Sequence, residues 1–147
     1  MVFMRRIIEN KTDLDAFFKL ASSYKYPITA TITRGRDRSH DQNRLAFMWY
    51  REASEQMQDE DAEAKRAFCK LNFAIPILVA ESDEYRSAYN KFIRPLPYEA
   101  KLAMMRAPLD YPATRLLTTK QMTSYLDAIR EHFEAQGVVL TIPQESA

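Results

Sequence analysis

The chain has 147 residues, 46% of them hydrophobic, which is enough for one ordinary domain with a sizeable core and too few for a second full one. A lone cysteine, Cys69, excludes an internal disulfide framework, and no apolar run near Met1 has the character of a signal peptide or membrane span, so a cytoplasmic setting is expected. Lysines and arginines number 21 against 20 acidic residues, so there is no generic basic coat, and a nucleic-acid site would have to come from charge segregation.

In chain order, residues Val2 to Ile8 read as a first strand. Thr12 or Asp13 can cap a helix that carries Leu14, Phe17, Phe18 and Ala21 on one face. Pro27 opens a second strand, Ile28 to Thr33, in which Ile28, Ala30 and Ile32 alternate with threonines. Directly after it comes Arg34-Gly35-Arg36-Asp37-Arg38-Ser39-His40-Asp41-Gln42-Asn43-Arg44. Gly35 lets the chain turn, Ser39 and Gln42 fit a capping box, and Asp41 suits the positive end of a helix dipole, so a helix is expected from about His40. Its positions Leu45, Met48, Trp49, Ala53 and Met57 recur at helical spacing and should be core, while Arg44 and Arg51 share another face.

Five arginines between Arg34 and Arg51 face only Asp37 and Asp41, a surplus of three on a chain of net charge +1, so the remainder is net acidic. Guanidinium forks bind phosphate oxygens in pairs, and an open helix N-terminus offers unpaired N–H groups, so this stretch reads as an anion site. A charged loop ahead of a capped helix is also an ordinary solvated feature.

The acidic cluster Asp59, Glu60, Asp61 and Glu63 opens a further helix bearing Phe68, Leu71, Ile75 and Leu78. From Tyr85 to Lys120 seven cations (Arg86, Lys91, Arg94, Lys101, Arg106, Arg115, Lys120) face only Glu99 and Asp110. Tyr85, Tyr89, Phe92, Tyr98 and Tyr111 are interleaved with them, and cationic grooves with aromatic platforms hold single strands. Tyrosines at such spacing equally serve as half-buried packing. Pro95, Pro97, Pro108 and Pro112 divide this stretch into two short helices joined by extended turns. The last helix starts at a second capping box, Thr118 with Gln121, and stops where Gly137 can take the left-handed position. Its stripe Met122, Tyr125, Leu126, Ile129 and Phe133 can bury against the domain or a second subunit. Val138 to Ile142 then alternates as a third strand.

Two glycines, Gly35 and Gly137, cannot build a P-loop or a dinucleotide fingerprint. His40 and His132 lack partners at zinc spacing, His132 falls on the polar side of the last helix, and Cys69 in its apolar run reads as an inert buried thiol. No cofactor is expected.

Strand, then Arg-x-Arg-Ser-x-Asp-Gln-Asn-Arg from Arg36 to Arg44, then a helix rich in large apolar residues resembles the phage recombination proteins of the NinB (Orf) family. Thr114-Arg115 followed by the amphipathic helix and Gly137-Val138 is a second, shorter likeness, so the two blocks span about residues 26 to 51 and 113 to 142. The resemblance implies a recombination accessory protein without a catalytic site, phage- or prophage-encoded. Such a protein is a homodimer in the cytoplasm of the bacterial host. It binds single-stranded DNA, with duplex DNA as a further ligand, and acts with the single-strand-binding protein to load a recombinase.

The expected fold is one α+β domain over residues 1–147, a small sheet of two or three strands with several helices packed on it. The expected DNA contacts are Arg34, Arg36, Arg38, Ser39, Gln42, Asn43, Arg44, Arg51, Lys101, Arg106, Arg115 and Lys120. Two other classes fit the same residues: a nuclease holding magnesium at Asp37 and Asp41, and a protein-interaction module with no DNA affinity.

Overall fold

A computed structural model of the protein describes residues 6–32 and 40–143. The chain divides into two compact units, Met1–Asp37 and Arg38–Ala147. In the first, α1 (Lys11–Ser22) starts at Asn10, whose side chain accepts from the Asp13 N–H at 2.9 Å, while the Asp13 carboxylate accepts from the Glu9 N–H at 3.1 Å. Asn10, rather than Thr12 or Asp13, is therefore the cap. Leu14 and Phe17 are half-buried, Phe18 is exposed, and no residue of α1 is fully buried.

The second unit is helical. It comprises α2 (His40–Met57), α3 (Ala62–Cys69), α4 (Ile75–Glu81), α5 (Asp83–Ala88), α6 (Tyr98–Met104) and α7 (Thr119–Ala135). Gln58 takes a left-handed backbone (φ 55°) and ends α2, and the Asp61 carboxylate caps α3 by accepting from Ala64 N–H at 2.8 Å. A π-helical turn, Lys70–Ala74, joins α3 to α4 without a break. Pro76 explains it: a proline cannot donate to the carbonyl four residues back, so the register widens there. A second π turn, Tyr89–Ile93, extends α5, and Arg94 N–H reaches Tyr89 C=O at 2.8 Å before Pro95 ends the helix.

The core lies between α2, α3, the first π turn and α7. It contains Trp49, Tyr50 and Ala53 from α2, with Ala67, Cys69 and Leu71 packed against them. The Tyr50 and Tyr125 hydroxyls meet at 2.6 Å inside it, and burial pushes the Cys69 thiol far above its ordinary pKa. Met122, Tyr125, Leu126, Ile129 and Phe133 are all buried in this same core. Of the two alternatives for the α7 stripe, burial against the domain is the one taken. The Thr118–Gln121 capping box has both its bonds (3.1 and 2.9 Å), and Gly137 has φ +84°.

The expected α+β class is corrected to an all-α fold: no strand or sheet occurs among the described residues. Residues 28–32 are exposed and form no strand, Ile7 and Ile8 likewise, while residues 2–5 and Thr33 lie outside the described residues. A strand pattern becomes a strand only where another backbone completes its ladder. At the C-terminal segment, side chains of α2 take that place. Gln56 accepts from Val139 N–H and donates to Val139 C=O, both at 2.8 Å; the Glu52 carboxylate accepts from Thr141 N–H at 3.0 Å; the Trp49 indole donates to Thr141 C=O at 2.8 Å. Val138 and Leu140 point into the core meanwhile, as the alternation requires.

Charged groups fasten the loop between α6 and α7. Lys70, only 2% exposed, donates to Met105 C=O at 2.8 Å and to Asp110 Oδ1 at 2.6 Å. Arg66 grips the Glu63 carboxylate with two bonds (2.8 and 2.9 Å) and reaches Asp110 at 2.9 Å. Hydrogen bonds from Lys70 and then Arg66 hold the Asp110 carboxyl below its usual range, and Arg66 does the same for Glu63. Asp110 itself is left-handed (φ 45°).

His132 does not sit on the polar side of α7. Its ring lies 5.0 Å from Phe68, 5.3 Å from Phe73 and 5.0 Å from Phe133, and burial, then Lys65, depresses its pKa. The unfolded chain therefore binds a proton near pH ~6.5 that the folded protein resists, and stability is lost as pH falls from there toward the depressed value. His132→Phe should flatten the stability–pH curve as pH falls below about 7, relative to wild type. Urea midpoints at several pH values check this, and parallel curves would contradict it.

Candidate nucleic-acid interface

The helices α2 and α7 lie side by side with their N-termini together. Gln42, in the first turn of α2, donates to Thr119 C=O at 3.3 Å and to Thr123 Oγ1 at 3.1 Å in the first turns of α7. At the far end Gln56 holds Val139, just past α7, so the two helices run parallel. Parallel alignment adds the positive ends of two helix dipoles at one place. Thr118 and Gln121 already satisfy part of the α7 end, and Asp41 offsets part of the α2 end.

The elements that form this end carry exposed cations. The Arg44 side chain is 77% exposed and 4.0 Å from Asp41 Oδ1, a surface pair of little energy that leaves the guanidinium reachable. Arg51 is exposed on the same helix two turns on, roughly 10 Å along the axis. Lys120 is exposed in the first turn of α7, and Arg115 on the 3-10 turn Thr114–Leu116 that leads into it. Asn43 is half-buried beside Gln42. The Gln42 bridge thus joins the first turns of α2 and α7, which are more than seventy residues apart in sequence; Lys120 lies in that turn of α7 and Arg115 on the turn before it. Arg34, Arg36, Arg38 and Ser39 lie outside the described residues.

Lys101 is half-buried on α6, and Arg106 belongs elsewhere. Arg106 and α6 line an open cleft of about 430 Å³ against α3, and its other charged groups are Glu60, Asp61 and Glu99. Arg106 Nη2 lies 3.6 Å from Asp61 Oδ1. A phosphate would meet three carboxylates there, so this cleft is electrostatically unsuited to DNA.

Of the interleaved aromatics, Tyr85, Tyr89 and Tyr111 pack on one another at 6.3 and 6.4 Å, and the Tyr85 hydroxyl donates to Pro112 C=O at 2.9 Å. They are packing residues. Phe92 and Tyr98 remain outside. Two roles escaped the sequence: Gln42 bridges two helices, and Lys70 is buried. Neither has a local signal, because each partner is at least 35 residues away.

For the nuclease class, Asp37 lies outside the described residues, and Asp41 is exposed and turned toward Arg44. Among the described residues no group of three or more His, Cys, Asp or Glu side chains converges as a metal site, and no helix is long and apolar enough to cross a membrane. Compared with family models, with curated proteins and with solved structures, the chain matches none.

Proposed function

We propose that this protein is a non-catalytic, phage-type recombination accessory protein that binds single-stranded DNA through the basic end of α2 and α7. The observation that carries the reading is the pairing of two helix N-termini by Gln42, with Arg44 and Lys120 exposed on those helices and Arg115 exposed on the turn that leads into α7. Backbone N–H dipoles and guanidinium forks suit phosphate oxygens and demand no particular base. The segment Arg34 to Arg38 runs directly into this end in sequence and adds three more arginines. The resemblance of Arg36 to Arg44 to the NinB family supports the further elements: a homodimer in the host cytoplasm that works beside the single-strand-binding protein in recombinase loading. A dimer would use a surface other than the buried α7 stripe.

Fluorescence anisotropy with labelled single- and double-stranded oligonucleotides, with and without a chelator, tests this. Expected are tighter binding to the single strand, a steep fall with salt, and no effect of chelator on either affinity or oligonucleotide length. Chelator-sensitive cleavage would instead identify the nuclease that Asp37 and Asp41 suggest, and absence of DNA binding would leave a protein-interaction module.

A further inference from the structure

We infer that the corner formed by the second π turn and the start of α6 is a base-stacking platform for single-stranded nucleic acid, with Phe92 and Tyr98 as its rings. This rests on the single-strand-binding reading and assigns it a second contact surface, separate from the basic end of α2 and α7.

In residues 85–98 the chain buries Tyr89 and Ile93 and half-buries Tyr85 and Leu96, yet leaves Phe92 65% and Tyr98 46% exposed. The π turn accounts for the geometry. With Arg94 N–H bonded five residues back to Tyr89, the wider turn keeps Tyr89 and Ile93 inward and carries Phe92 off the buried face. Single π turns of this kind recur at functional sites. The support is stiff: Pro95 and Pro97 fix the backbone, Leu96 N–H bonds Ile93 C=O at 2.9 Å, and the Tyr98 hydroxyl accepts from Asn72 Nδ2 at 3.1 Å.

The surrounding charge decides which ligand suits the rings. Lys91 Nζ sits over the Phe92 ring at 5.2 Å from its centroid, and Arg94 over Tyr89 at 5.4 Å, the latter steadied by a 2.6 Å bond from its Nε to Asn90 Oδ1. Between residues 89 and 101 the cations Lys91, Arg94 and Lys101 face only Glu99. A base stacking on the solvent face of Phe92 would bring its phosphate to Lys91, which is the pairing of π-face and cation that holds single strands without reading sequence. A protein partner would call for a broader apolar patch than two rings flanked by cations.

The test compares two labelled probes of equal length and charge, an oligothymidylate and a chain of abasic spacers. Wild type should bind the oligothymidylate roughly ten-fold or more tightly than the abasic probe. The double variant Phe92→Leu, Tyr98→Leu should lose that preference while keeping its affinity for the abasic probe, and Phe92→Trp should retain the preference. Thermal melts should be unchanged, since both rings are exposed; if the double variant melts early, Phe92→Leu alone is read. The platform is overturned if wild type binds both probes equally, if the double variant keeps the preference, or if it weakens both probes alike. No wild-type affinity for either probe would remove the single-strand-binding reading itself, and the platform with it.

Discussion

Replacing Asp110 by alanine is expected to destabilise the protein by about 3 kcal/mol, near the lower end for breaking a buried ion pair. The Lys70 ammonium is shut away from water, and burial already pushes its pKa down, so its remaining favourable contacts decide whether its charge is tolerable. Removing Asp110 leaves it one carbonyl, that of Met105. The figure stays low in the range because the Asp110 side chain is 53% exposed and water can partly replace it. Lys70→Met should cost much less, roughly 1 kcal/mol, because an apolar chain of similar length fills the site and Asp110 keeps Arg66 and solvent.

The pH dependence follows from the direction of the shift. The folded Asp110 carboxyl ionises below its usual range, so its stabilisation is present above about pH 4 and is lost as pH falls through the lower folded value. Wild type and Asp110→Ala should therefore converge in stability in acid and separate near neutrality. Urea unfolding followed by circular dichroism reads both effects. Equal midpoints for the Asp110→Ala and Lys70→Met variants would show that the buried charge carries no such asymmetry.

Local signals were legible in the sequence. The Thr118–Gln121 box, the Gly137 stop and the inward face through Trp49 and Ala53 involve residues three or four apart, or one glycine, and a helix fixes such neighbours wherever it lies. The alternation at Val138 to Ile142 has a physical counterpart in the buried Val138 and Leu140, although the segment is not the expected strand. The pattern could not say what receives the backbone. Gln56, Glu52 and Trp49 do so at helical spacing some 83 to 92 residues away, so the segment is extended without belonging to a sheet. Five tyrosines and phenylalanines among seven cations looked uniform in sequence, and only packing separates the inward Tyr85, Tyr89 and Tyr111 from the outward Phe92 and Tyr98. The same holds for the cations. Arg106 is partnered by the carboxylate that caps α3, which no reading of its own neighbours discloses.

That sorting of cations leads to the largest expected effect on binding. Replacing Arg44, Arg115 and Lys120 together by alanine should weaken single-strand binding roughly a hundred-fold near 0.1 M salt and lower the salt slope by about 2, at ~0.7 per phosphate contact. All three side chains are exposed, so the fold should melt as wild type. The matched control is Arg106→Ala. It removes one positive charge from the cleft shared with Glu60, Asp61 and Glu99, where no phosphate is expected, and should leave the slope unchanged. If binding followed only the overall charge, both variants would lose affinity roughly in proportion to the charges removed. A large loss in the triple variant with none in Arg106→Ala places phosphates at Arg44, Arg115 and Lys120. The reverse result would move the DNA to the Arg106 cleft and leave Gln42 a purely structural bridge.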